Sequence, residues 1–287
     1  MKVILHSLVA APSLIGRYQH AAQRLREHGY AVMIRTGVEA DEVVQPGDML
    51  ISHNWVPEDV RAQLDDRCFG GKEQTRPEHL TLMASLGFPV MEWTTVASCE
   101  EALALCNSWD VERLILKRSF TGGGRGFHVL TPNQPSYCEW DFERDIICKE
   151  VNPNCGKVFK AELFAGKLML GFVLKKEPLK DRLLPNDPCP AGARQLAVYR
   201  EDNERPDERH RALWEFAPAE QAALEDLSAT LTDLGFGYVS VDLMRRADGE
   251  LVAIELNTGS VTTWWSEQFP FVRQRFASAL LELVKGF

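Results

Sequence analysis

Two acidic residues in one hairpin carry the clearest chemistry in this sequence. Residues 238–244 (YVSVDLM) and 251–257 (LVAIELN) alternate in polarity, and Asp248-Gly249 between them is a dipeptide favoured at type I′ hairpin turns. A two-residue turn there pairs Ala247 with Glu250, and counting back along the ladder sets Asp242 directly opposite Glu255. Val239, Val241, Leu243, Val252, Ile254 and Leu256 then cover the other face. Asn257 shares the carboxylate face, two residues past Glu255. Like charges facing each other across a ladder are destabilising, so a cation is expected between them. Two carboxylates and an amide oxygen are hard ligands that suit Mg²⁺, which keeps waters and takes further oxygens from phosphates. The ligands are too few for calcium storage, and the bland alternative is a solvated face with incidental acids.

A glycine cluster supplies the second signal. The strand 113–117 places Lys117 on a face with Ile115 and runs at once into Thr121, Gly122, Gly123, Gly124, Arg125 and Gly126. Glycines let backbone amides approach phosphate oxygens, and a neighbouring lysine adds positive charge. A Walker loop or a dinucleotide loop needs a helix next, whereas residues 127–130 (FHVL) read as a second strand stopped by Pro132. The loop therefore lies across a hairpin, as a flap over phosphates would, with a plain glycine-rich turn as the alternative. Further on, Lys149 and Glu150 end a strand before Asn152-Pro153, where a lysine, a carboxylate and exposed backbone could read an adenine edge and ribose hydroxyls. Lys160 and Glu162 share one face of the following strand, so a cation could project toward the same site. Trp264-Trp265 either forms an acceptor pocket or packs the last helix. The histidines show no ligand spacing, and no Ser/His/Asp or Cys/His constellation is readable.

These groups need elements to hold them. The chain opens with a strand at 3–5, a loop through Pro12 and Gly16, and a helix whose face is Tyr18, Ala21, Ala22 and Leu25, stopped by Gly29. Strands at 32–34 and 49–52 complete a small α/β unit that lacks a G-x-G-x-x-G loop. A new lobe opens near Gly70-Gly71. There Thr75 and Glu78 form a capping box before Leu80, Met83 and Ala84, and Gly87 ends the helix. Ser98 and Glu101 repeat the box before Ala102, Leu105 and Cys106, and the glycine hairpin follows. Strands at 145–151, 158–164 and 167–174 come next, the last two joined by Ala165-Gly166, and then a polar loop over 175–211. Leu224, Leu227, Leu231 and Leu234 mark a helix closed by Gly235. The carboxylate hairpin and a final helix carrying Phe276, Leu280 and Leu283 end the chain. The expected division is 1–71, 72–148 and 149–287.

Composition sets the outer limits. The chain has 287 residues, 45% hydrophobic, with no apolar run approaching the roughly 18 residues of a membrane span. A soluble protein of two or three lobes is expected. The formal charge of −9 disfavours nucleic acid as the principal ligand. Seven cysteines stand singly with no C-x-x-C pair, which argues against a disulfide framework or zinc and for a reducing cytoplasm. The first seven residues lack the apolar length of a signal peptide.

In this order, strand lysine, glycine flap, hinge acid and an acid hairpin ending in Glu-x-Asn, the chain resembles the ATP-grasp superfamily, in particular the glutathione synthetase-like and RimK-like carboxylate–amine ligases. The resemblance covers Lys72 to the C-terminus. It implies an α/β protein, with a small N-terminal α/β lobe followed by two α+β lobes clamping the nucleotide. It places the family's phosphate-contacting lysine on Lys117, the flap on Thr121–Gly126, and the adenine and ribose hinge on Lys149, Glu150 and Val151. Asp242, Glu255 and Asn257 match the metal ligands, with Glu255 bridging two Mg²⁺ ions, for which Mn²⁺ could substitute. Arg76 stands where the family usually has a lysine, Lys160 where relatives often carry arginine, and Arg194 is the choice for the arginine facing an acyl phosphate. The implied reaction joins a small-molecule or peptide carboxylate to an amine at the expense of ATP. No nucleic acid or membrane partner is implied, and a homo-oligomer is the default. Two other readings stay open: a small-molecule kinase on the same ATP site, and a nucleotide-binding regulatory protein without turnover. The N-terminal lobe and the loop 259–268 are expected to choose the substrates.

Overall fold

The computed structural model describes residues 1–119, 127–131, 141, 144–152, 157–175, 194–195, 211–258 and 269–287. Strand β1 (Lys2–Ser7) is buried from Val3 onward, the continuous run of a strand covered on both faces. Helix α1 (Pro12–Glu27) starts at Pro12 rather than beyond Gly16. A proline suits the first turn because its missing N–H would be unbonded there anyway. Tyr18, Ala21, Ala22 and Leu25 are fully buried, and Gly29 stops the helix at a φ of +87°. β2 (Ala31–Thr36) and β3 (Met49–Trp55) follow, then α2 (Glu58–Leu64) and β4 (Cys68–Gly71), giving a parallel sheet in the order β2-β1-β3-β4. The last two elements escape the sequence reading because each is short, and β4 ends in two glycines.

α3 (Arg76–Ser85) carries the full capping box: Thr75 Oγ1 accepts from the Glu78 N–H, and Glu78 Oε2 accepts from the Thr75 N–H at 2.6 Å. Leu80 and Met83 are buried as expected, but Ala84 is exposed and His79 takes its place in the interior. β5 (Trp93–Thr94) precedes α4 (Cys99–Ser108), where Ser98 accepts from Glu101 while the Glu101 carboxylate turns to the Ala97 N–H instead. β6 (Leu114–Lys117) and β7 (Phe127–Leu130) form the expected antiparallel hairpin, with Lys117 opposite Phe127. β8 (Ile146–Cys148) is shorter than its alternation suggests, because the Lys149 N–H leaves the sheet for the Glu92 carbonyl.

β9 (Lys157–Phe164) and β10 (Lys167–Lys175) pair across Ala165-Gly166, both at positive φ. The stretch expected as loop contains one short strand near its middle, β11 (Arg194–Gln195), and runs into another at its end, β12 (Arg211–Leu213); 176–193 and 196–210 lie outside the described residues. α5 (Pro218–Asp233) buries Leu224, Leu227 and Leu231 but leaves Leu234 exposed beyond its end. β13 (Val239–Arg245), β14 (Leu251–Asn257) and α6 (Pro270–Lys285) complete the chain. Two further sheets result, β11-β7-β6-β8-β5 and β12-β10-β9-β13-β14. One apolar core joins α1 and β1 to α6, Phe164 and Tyr238, so the first sheet is packed against the last. No helix among the described residues is long and apolar enough to cross a membrane.

Candidate functional site

β13 lies between β9 and β14, so Asp242 faces Glu255 on one side and Lys160 on the other. The carboxylate opposition is as expected, but the chain reaches it by another route. The turn is a three-residue loop closed by Arg246 N–H to Glu250 O, with Gly249 at a φ of +93°. It shifts the ladder by one, pairing Leu243 with Ala253, and a bulge at Ile254 then restores Asp242 opposite Glu255. Ala253 is therefore fully buried where Ile254 was expected to be, and Ile254 is half-buried. The displaced Ile254 carbonyl accepts from Lys117 Nζ at 3.2 Å, which ties the two larger sheets together.

Side chains of the protein answer the repulsion between the acids. Lys160 Nζ is 2.9 Å from Asp242 Oδ1, Arg76 Nη1 is 2.9 Å from Glu255 Oε2, and Asn257 Nδ2 donates to Asp242 Oδ1 at 3.4 Å. Burial opposes the charge on Lys160, but the adjacent Asp242 outweighs it and the ammonium is held above its usual range. Burial likewise opposes the Glu255 carboxylate, yet Arg76, Lys117 and Lys160 together hold it below its usual range. Lys117 is pulled down by burial, with Arg76 adding to the effect. Three cations thus lie among the paired acids, with Glu162 also acting on Lys160, and they offer an incoming polyanion several positive partners. Among the described residues, no three His, Cys, Asp or Glu side chains gather to hold a metal by themselves. The donor set is two carboxylates and the Asn257 amide oxygen, left over when its NH₂ turns to Asp242. Such a set fits a hard ion that brings phosphate oxygens and water with it.

The root of the glycine loop is fastened beside this cluster. Arg76, in the first turn of α3, donates through its N–H to Ser119 Oγ at 3.3 Å and through Nη2 to the Arg118 carbonyl at 3.4 Å. Buried Asp145 accepts from the Ser119 N–H at 2.9 Å and sits 3.5 Å from Arg118 Nε. Sequence reasoning missed Asp145, because a single acid at a strand end has no spacing to announce it. Thr121, Gly122, Gly123, Gly124, Arg125 and Gly126 lie outside the described residues, as do Trp264 and Trp265. Arg194 pairs through its backbone with Val129 on the hairpin's outer edge, and its side chain lies outside the described part. Lys149, Glu150 and Val151 follow β8, beside the strand that carries Lys117. Lys149 Nζ donates to the Trp109 carbonyl at 3.3 Å, Glu150 pairs with Arg113 at 2.8 Å, and Val151 packs against the core under the last sheet.

The N-terminal unit fixes the end of β14. Thr258 Oγ1 donates to the Lys72 carbonyl at 3.1 Å, and a Cβ on Gly71 would come within 2.0 Å of the Thr258 carbonyl oxygen. Only glycine admits that approach. Buried Arg61 donates to the carbonyls of Gly70, Gly71 and Gly235 at 2.7, 2.6 and 3.1 Å, stapling β4 to the turn before β13.

This arrangement, with Lys117 on one antiparallel sheet, the paired acids on another and a small parallel sheet in front, has the fold of solved ATP-grasp ligases. No protein-family model and no curated protein sequence matches the chain. Solved structures match along its whole length. D-cycloserine synthetase DcsG superposes with a TM-score of 0.57 at 15% identity, over 98% of this chain and 99% of that one. The ATP-grasp ligase PsnB, complexed with minimal precursor, Mg and ADP, gives 0.56 at 12%, over 97% and 96%. D-alanine–D-alanine ligase from Bacillus anthracis gives 0.52 at 11%, over 100% and 99%. At these identities the likeness establishes the fold.

Proposed function

We propose that the chain is an ATP-dependent ligase that joins a carboxylate to an amine through an acyl phosphate and releases ADP and phosphate. The observation that carries this reading is the cluster at the junction of the two larger sheets, with Asp242 opposite Glu255 and Arg76, Lys117 and Lys160 around them. The fold neighbours include an ATP-grasp ligase, PsnB, solved with a minimal precursor, a D-alanine–D-alanine ligase, and the macrocyclase MdnC, solved with a precursor peptide, which supports a ligase and peptide substrates. The units 1–71, 72–148 and 149–287 serve as substrate lobe, flap lobe and metal lobe. The chain acts in the cytoplasm, where ATP is supplied and single cysteines stay reduced.

The substrate carboxylate attacks the γ-phosphorus of ATP. Lys117 and Arg76 hold the phosphate oxygens and oppose the charge that builds on them, and Lys160 lies close enough to join them. Asp242, Glu255 and Asn257 would hold Mg²⁺, which would supply positive charge against the triphosphate and the transferring group. Lys149, Glu150 and Val151 receive the adenine and ribose, the flap at 121–126 excludes water, and Arg194 faces the acyl phosphate until the amine displaces phosphate. Because positioning and charge do most of this work, no nucleophilic side chain is required.

Two results follow directly. A screen for ADP release over pooled carboxylates and amines should show sustained turnover only when both classes are present; turnover with an alcohol alone, leaving a stable phosphorylated product, would replace the ligase with a kinase. Since Lys160 and Arg76 occupy the two acids, Mg²⁺ and nucleotide should also bind synergistically. Calorimetry is expected to give Mg²⁺ alone an affinity at least about tenfold weaker than in the presence of a non-hydrolysable ATP analogue. Equal affinities would contradict the assignment of the metal site.

A further inference from the structure

Among the described residues, five buried side-chain atoms lack a hydrogen-bond partner, and four of them lie over residues 74–79, at the start of α3: Gln74 Oε1, Arg76 Nε, Arg76 Nη1 and His79 Nε2. Buried polar atoms in folded proteins are almost always paired, so three atoms without a partner over residues 74–79, Gln74 Oε1, Arg76 Nε and His79 Nε2, beside the Arg76–Glu255 ion pair, mark a place suited to a ligand. Arg76 Nη1 is 2.9 Å from Glu255 Oε2 and is held by that ion pair. His79 sits one turn after Arg76 on the same side of α3, the helix that packs on β14, and only 9% of it is exposed. The segment runs beside the end of β14, with Lys72 at Thr258 and Arg76 at Glu255.

Burial, reinforced by Arg76, holds the His79 pKa down to about 4 against the pull of Glu255 and Glu78. At neutral pH the ring is therefore uncharged and carries one N–H. A neutral donor suits a pocket that already holds three cations, because it adds a contact without a fourth like charge.

We propose that His79 is a further ligand-contacting residue of the nucleotide site, its Nε2–H donating to a phosphate oxygen of the bound nucleotide in the pocket that the Arg76 guanidinium shares. The contact gives Nε2 the partner it lacks, and the same anion gives one to Arg76 Nε. The inference rests on the nucleotide reading above and adds a residue that no spacing in the sequence reveals.

The test compares His79→Leu with His79→Gln, whose side-chain amide can return a donor near the Nε2 position. Titrating Mg²⁺ and a non-hydrolysable ATP analogue into each by calorimetry should weaken binding about tenfold in the leucine variant, about 1.4 kcal/mol, and less than about threefold in the glutamine variant. In the wild-type protein with ¹⁵N-labelled histidine, the His79 Nε2 resonance should move on adding the same ligand. If the leucine variant fails to fold, that resonance decides alone. Unchanged affinity in His79→Leu, or an unmoved resonance while the wild type binds nucleotide, overturns the His79 assignment and leaves the nucleotide site standing. Failure of the wild type to bind the analogue overturns both.

Discussion

Glu255→Gln is expected to reduce amide-forming turnover by about a thousandfold or more while leaving the protein folded. The substitution keeps the shape of the side chain at the bulge and removes the charge that pairs with Arg76 and that the proposed Mg²⁺ site would need. Loss of one charge-stabilising group costs about 10²–10³ in related settings, and here a carboxylate of the proposed metal site would be lost as well. Stability should move far less. Removing the charge weakens the pair with Arg76 at 2.9 Å, but it also removes the repulsion from Asp242 directly opposite. These effects oppose each other, and the carboxylate is partly exposed, so a change within about 2 kcal/mol is expected by denaturant titration. Wild-type turnover in this variant would remove Glu255 from the chemistry.

Gly71→Ala is expected to damage the site from outside it. The added methyl would meet the Thr258 carbonyl oxygen at 2.0 Å and Trp55 Cδ1 at 2.6 Å, and the first of these is backbone that cannot rotate away. Overpacking of this kind costs about 3 kcal/mol. The strain falls on the residue after Asn257, so turnover should drop by about tenfold to a hundredfold even at temperatures where the variant is folded. Gly16→Ala is the control. Its nearest neighbours would be Arg273 guanidinium atoms at 3.7 to 3.8 Å, an ordinary contact, and alanine in the body of α1 should gain about 0.5–1 kcal/mol. A fully stable and active Gly71→Ala would mean that the N-terminal unit does not hold the end of β14.

The opposition of Asp242 and Glu255 was legible because alternation and a turn dipeptide are local signals. It was reached through a two-residue turn, whereas the chain uses a longer turn and a bulge whose offsets cancel. The bulge could not be foreseen, since it answers the demand of Lys117 and of the core beneath Ala253 rather than any local preference. Ion partners were less readable still. Arg76 reaches Glu255 and Lys160 reaches Asp242 only after α3 and β9 have packed against the hairpin, and no pattern of spacing encodes such distant meetings. The helix faces of α1 and α5 emerged from periodicity, while α2 and β4 were lost because a few residues cannot show a period. Pro12 misled in the other direction: it reads as a loop residue but occupies the one part of a helix that accepts it.

The most direct measurement follows oxygen. Once an accepted acid and amine are in hand, the acid labelled with ¹⁸O in its carboxylate should pass one labelled oxygen to inorganic phosphate for each amide formed, because the acyl phosphate is broken at its carbonyl carbon when the amine attacks. Phosphate carrying the label in step with product is the result this account predicts. Unlabelled phosphate, with all the ¹⁸O retained in the acid-derived product, would contradict it.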